Sequence, residues 1–218
     1  MYSALGGFLM LGLFAAAFGL VVRRAVRSSR QAADNVRTLA EQLGLEFAAG
    51  APLLGLFYPQ PKAAGQLRGR RVEVLLLATG SGKSEVYQCA VSATVRATGG
   101  LTMHLQQQGL GTKVMALFGA TEIQVGEPEF DRAWFIQTNQ PEFLRAALLP
   151  ELRDKITALM REAGPPARNP EFKLEPGTVR YAENGNFLTP STCARCRRAA
   201  DIVCDLADLA EVFAEQKP

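Results

Sequence analysis

The chain has 218 residues, 48% of them hydrophobic and 21% charged, with a formal net charge of +3. Four arginines near the N-terminus carry that surplus. Residues 31–218 sum to about −1, so the body of the chain lacks the basic field that nucleic acid binding requires. Four cysteines and a single histidine exclude multi-histidine metal centres and most histidine-based triads.

Residues Tyr2 to Val22 carry no charge, and Arg23, Arg24, Arg27 and Arg30 follow directly. At about 1.5 Å per residue such a run matches the roughly 30 Å hydrocarbon core of a bilayer, which predicts a transmembrane anchor over 1–22. A cleavable signal peptide would place its charge ahead of the apolar run rather than behind it. The arginines then hold the C-terminal side in the cytoplasm, at the inner membrane, with the N-terminus outside. They are candidate membrane-surface residues facing anionic lipids. Gly12, Ala15, Ala16 and Gly19 recur at spacings of three and four, a small-residue face suited to helix packing against another membrane subunit or a second copy.

A basic juxtamembrane helix is expected over 23–44, with Val36, Leu39 and Leu43 on one face and Gly44 as its stop. Residues 45–218 read as a soluble α+β domain, an antiparallel sheet with flanking helices. Between 64 and 107 the period changes to two. Val72, Val74 and Leu76 alternate, as do Tyr87 to Val95 and Leu101 to Leu105, and turn signals between them predict an antiparallel meander. Thr112 to Gly119 fits helix or strand, while 122–125 and 132–138 read as strands. Helices are expected from Pro141 to Leu148 and from Glu151 to Glu162. Strands follow on either side of Pro176-Gly177, and Asn184-Gly185 predicts a hairpin before Phe187 and Leu188. Pro190 opens a final helix.

Gly80-Ser81-Gly82-Lys83-Ser84 resembles the end of a phosphate loop, but Leu77 stands where the first glycine belongs, and a strand pattern follows where a helix is needed. Cys193-Ala194-Arg195-Cys196 is a candidate thiol site about a turn into the last helix, where a helix N-terminus can stabilise thiolate. No thioredoxin-like context surrounds it. Zinc would need further ligands, and Cys89 and His104 fall on opposite faces of separate strands. In the last helix Ala199, Val203, Leu206, Ala210 and Phe213 form the core stripe, with Cys193, Ala200, Cys204 and Ala207 as a small-residue flank. His104 lacks a carboxylate at any local spacing. Glu127, Glu129 and Asp131 are expected in a turn made by Pro128, and Trp134 in the core.

The segment from Phe130 to Lys155, together with the final hairpin and helix, is similar to a family of uncharacterised bacterial single-pass membrane proteins. The resemblance covers roughly the last 90 residues and implies no activity. These readings converge on a non-catalytic, membrane-anchored accessory, assembly or stabilising subunit of a larger membrane complex, with lipids and other membrane subunits as partners. No nucleic acid, cofactor or metal is expected, and a homo-oligomer is compatible. The alternatives are a membrane-tethered thiol oxidoreductase using Cys193 and Cys196, and a domain that binds lipid or a small ligand between sheet and helices.

Overall fold

In this computed structural model, residues 2–50, 60–80, 85–108, 122–162 and 168–216 are described, without the side chains of residues 2–13, 15, 162 and 168. The chain runs α1 (Tyr2–Leu43), β1 (Glu46–Ala48), β2 (Lys62–Leu67), β3 (Arg70–Thr79), β4 (Val86–Thr94) and β5 (Met103–Gln107). Then come α2 (Pro128–Ala133), β6 (Trp134–Thr138), α3 (Pro141–Ala147), α4 (Pro150–Glu162), β7 (Arg168–Glu175), β8 (Thr178–Asn184) and α5 (Pro190–Gln216).

The eight strands form one sheet in the order β1-β2-β3-β4-β8-β7-β5-β6, and every neighbouring pair is antiparallel. The expected meander holds for β2, β3 and β4 and then breaks. The late hairpin β7–β8 lies between β4 and β5, because alternation fixes which face a strand buries but not which strand it pairs with.

One sheet face carries the core. Val72 and Val74 of β3, Cys89 and Val91 of β4, Val179 and Tyr181 of β8, Phe172 and Leu174 of β7, Leu105 of β5 and Ile136 of β6 are all buried there. Trp134 joins them, 6.0 Å from the Phe172 ring, which in turn lies 5.0 Å from Tyr181. Helix α5 packs on this face against β4 and β8, and α1 and α4 both lean on α5. The expected core stripe of α5 is buried at Ala199, Val203, Leu206 and Ala210, and so is most of the small-residue flank, at Ala200, Cys204 and Ala207. Small side chains on both flanks let α5 sit close to the sheet and to its neighbouring helices at once.

Three local expectations need correcting. Glu129 and Asp131 do not occupy a loop but lie in α2, and Glu127 is the extended residue just before it. Pro128 sits at the start of α2, where its missing N–H costs nothing, and Asp131 accepts hydrogen bonds from the backbone N–H of Val125 and Gly126 at 2.9 and 3.0 Å. Residues 122–125 are not a strand and make one sheet-like bond, Ile123 N–H to the Ile136 carbonyl at 2.9 Å. No strand follows Gly185. The chain passes through the buried Phe187 straight into α5, where Thr189 accepts the Thr192 N–H as an N-cap. The segment 112–119 lies outside the described residues.

The largest correction concerns the N-terminus. Among the described residues no helix is long and apolar enough to cross a membrane, so the expected transmembrane anchor over 1–22, the single-pass topology and the inner-membrane placement are withdrawn. Of the proposed helix-packing face, Gly12 and Ala15 fall where side chains are not described, while Ala16 and Gly19 are exposed.

Helix α1 ends as expected. Gly44 takes φ +66°, and the Leu45 N–H reaches back to the Ala40 carbonyl at 2.8 Å. Its last third docks through Ala33, Val36, Leu39 and Ala40, all buried, against β1, β2 and α5. Gln31 and Asn35 fasten it by donating to the Leu188 and Phe187 carbonyls at 3.0 and 2.7 Å.

Candidate functional site

Helix α1 is 42 residues long, roughly 60 Å, and most of it extends beyond its docked third. There Phe14, Phe18, Leu20 and Val21 are 73, 71, 67 and 65% exposed. Phe18 lies 18 residues before Val36, about five full turns, so the two point the same way. Phe14, Val21, Val22 and Ala25 fall within roughly 60° of that direction at 100° per residue. The face that docks at Val36 therefore continues, uncovered, along the N-terminal stretch. Arg23, Arg24, Arg27 and Arg30 are exposed and project roughly opposite to it, and no described carboxylate pairs with them. The charged face begins only at Arg23: no charged residue precedes it, and the exposed Leu20 falls about 160° away from the Phe18 direction.

The thiol candidates sit in a different place, under the N-terminal turns of α5. All four cysteines are free, with Cys89, Cys196 and Cys204 buried and Cys193 half-buried. Cys193 stands near the positive end of α5, which favours thiolate, yet burial and the nearby Glu183 carboxylate win and push its thiol up to about 11. Burial also raises Cys89 and Cys196. A thiol-exchange site needs the opposite shift. At pH 7.5 iodoacetamide is expected to modify Cys193 on the order of tenfold to a hundredfold more slowly than free cysteine. A rate at or above that of the free amino acid would overturn this assignment.

Beside these thiols lies an ion pair that no local spacing announced. Glu183 of β8 and Arg195 of α5 are 1 and 5% exposed. Arg195 Nε donates to Glu183 Oε2 at 2.7 Å and Nη2 to Oε1 at 3.1 Å. The Tyr181 hydroxyl donates to the same carboxylate at 3.1 Å, and burial pushes that phenol up. Burial alone would lower Arg195; the bonds and charge of Glu183 more than offset it. The pair pins strand to helix and faces no solvent.

A second network runs along the exposed edge of α5. Arg70 donates to Glu211 and Asp208, Arg96 to Glu211, and Arg68 to Asp205 and Asp208, with Lys155 also on Asp205. Arg68 holds a positive φ of 53° beside Gly69 at 75°. This is the left-handed pair of a tight hairpin turn, which aims the guanidinium at the helix. Burial pushes Asp205 up, and the bonds from Lys155 and Arg68 pull it below the usual range.

His104 does find a carboxylate, from 67 residues away. Its Nε2 lies 2.9 Å from Glu171 Oε2 on the neighbouring strand, both side chains about a quarter exposed. The His104 bond holds Glu171 below the ordinary carboxylate range, with burial opposing. Among the described residues no group of three or more His, Cys, Asp or Glu is placed to hold a metal ion. Residues 81–84 of the phosphate-loop fragment lie outside the described residues. The flanking Thr79 and Val86 are paired across β3 and β4, so a strand follows the fragment rather than a helix.

These observations define an eight-stranded antiparallel sheet with helices packed on one face and a long, partly undocked N-terminal helix. No family model matches the chain, and no curated protein matches its sequence. A similar solved structure is the crystal structure of the mycobacterial trehalose monomycolate transport factor A, TtfA. It has a TM-score of 0.46 and 12% identity, over 83% of this chain and 94% of that one.

Proposed function

We propose that this protein is a non-catalytic accessory or assembly subunit that joins another polypeptide through the N-terminal stretch of α1. The observation that carries this reading is the continuity of the helix face. The direction that buries Val36 in the domain presents Phe14, Phe18 and Val21 to solvent further up. Burying one such side chain contributes about 1.5–3 kcal/mol, so a partner element laid on this face gains enough to hold. The thiol alternative is disfavoured by the upward shifts at Cys193 and Cys196. The interior between sheet and α5 is filled by buried side chains, which disfavours a ligand cavity there.

The test is photo-crosslinking in the source cells, with benzoylphenylalanine placed at Phe18 or, on the opposite face, at Arg27. The Phe18 position is expected to give one or a few discrete adducts at near-stoichiometric yield, and Arg27 few or none. An adduct of twice the chain's mass would identify the partner as a second copy. Diffuse labelling of equal yield at both positions would sink the proposal.

A further inference from the structure

Helix α1 is fastened to the domain at Gln31 and Asn35, which donate to the Leu188 and Phe187 carbonyls. About 29 residues of helix precede Gln31, roughly 43 Å. On that stretch Phe14, Phe18 and Val21 are exposed, and with Val22 and Ala25 they make a seam that carries no charge. Nothing on the seam calls for a partner of opposite sign, so a copy of itself meets it without conflict. The arginines at 23, 24, 27 and 30 are exposed on the far side, where a pair of helices leaves its outer positions in water.

The domain decides which way a second helix can lie. The seam points the same way as Val36, and Val36 is buried where α1 meets β1, β2 and α5. The body of the protein therefore rises on the seam side just past Gln31. A parallel copy would bring its own domain to that side, and the two bodies would claim one volume. An antiparallel copy ends its chain there instead. With the overlap centred near Ala16, Phe14 of each copy meets Phe18 of the other across a two-fold axis, and four rings share the middle of the contact. The two arginine groups then lie at opposite ends, roughly 30 Å apart along the pair, more than three Debye lengths at physiological salt. Along roughly 43 Å, at the 8–10 Å spacing of packed helices, the contact is on the order of 800 Å² per partner, the size of a standard stable interface.

We propose that the polypeptide covering this seam is a second copy of the chain, laid antiparallel to form a two-fold dimer. This rests on the reading that α1 joins another polypeptide, and it names that polypeptide. Sedimentation equilibrium of the purified full-length protein is expected to give about 47 kDa, twice 23.6 kDa. Phe18→Glu is expected to give a 23.6 kDa monomer with unchanged near-ultraviolet circular dichroism from the buried Trp134, because position 18 precedes the fastening at Gln31 by more than three turns. Orientation is read with benzoylphenylalanine at Ala25. The antiparallel pair joins it to the tryptic peptide 1–23 of the other copy, which has no internal lysine or arginine. Adducts confined to residues 24–30 would make the pair parallel and overturn the assignment, as would a Phe18→Glu variant still at about 47 kDa. A monomer in solution, with a discrete Phe18 adduct to a different protein in the source cells, overturns the second copy and leaves the joining role of α1 standing. A monomer in solution with no discrete adduct in the cells sinks both.

Discussion

Replacing Arg195 with methionine is expected to lower unfolding stability by about 3–5 kcal/mol, the usual consequence of leaving one member of a buried ion pair without its partner. Against a typical total of about 5–15 kcal/mol, that is a large fraction. The reason is specific to this site. Glu183 is 1% exposed, receives two guanidinium bonds, and among the described residues keeps only the Tyr181 hydroxyl when they go. The double replacement Glu183→Gln with Arg195→Met is expected to recover most of the loss, because the amide still accepts from Tyr181 and no charge remains buried. Urea midpoints for the two single variants and the double, at unchanged m-value, check this. A loss below about 1 kcal/mol in Arg195→Met would mean that water reaches Glu183 and that the pair does not join strand to helix as described.

Glu211 carries the second large effect, and it depends on pH. Its carboxylate accepts from Arg70 at 2.5 and 2.9 Å and from Arg96 through both backbone and side chain. Those bonds, Arg70's foremost, hold it well below the ordinary carboxylate range. An unfolded glutamate titrates near pH 4.3. Below that value the unfolded state takes up protons that the folded state refuses, so stability rises with pH across this window. The contribution of Glu211 is complete at neutrality and is lost as pH falls below about 4. Asp205, Glu171 and Glu175 are lowered as well and act in the same direction. Glu211→Gln is expected to cost about 3 kcal/mol at pH 7 and to flatten the acid limb between pH 5 and 3. Denaturant midpoints measured across that range would show it. A variant whose midpoint falls as steeply as the parent's would assign the acid sensitivity to other carboxylates.

Period-two and period-three-to-four patterns could be read for side-chain direction because each residue reports its own burial. Val72 and Val74 point inward, and so do Ala199, Val203, Leu206 and Ala210, each where alternation or helical spacing put them. Pairing partners were not legible. Nothing in residues 168–184 announces that they separate β4 from β5. The ion pairs stayed hidden for the same reason, since Arg70 and Glu211 are 141 residues apart and His104 and Glu171 are 67. The final turn misled because Asn-Gly is a hairpin signal only when a second strand is available, and here Thr189 and Pro190 start a helix first. In α1 the uncharged run 2–22 suggested a span, and two unlike faces are visible only beyond it, where Val36, Leu39 and Ala40 are buried and Arg23, Arg24, Arg27 and Arg30 are exposed. For the candidate site, His104 and the cysteines stood out as residue types. Their meaning depended on Glu171 and Glu183, which only the assembled sheet supplies.

The late hairpin also sets a schedule for synthesis. Strands β1 to β4 are complete by residue 94 and β5 with β6 by residue 138, yet the two groups meet only through β7 and β8. Until the ribosome has delivered residues 168–184, each half-sheet has an open edge, one at β4 and one at β5. The helix that covers their apolar face is later still. A nascent chain halted near residue 165 would display two unpaired edges at once, the geometry that recruits other strands into aggregates. The centre of this sheet is the last part of it to be made, so premature termination anywhere before that hairpin leaves the two strand groups unjoined.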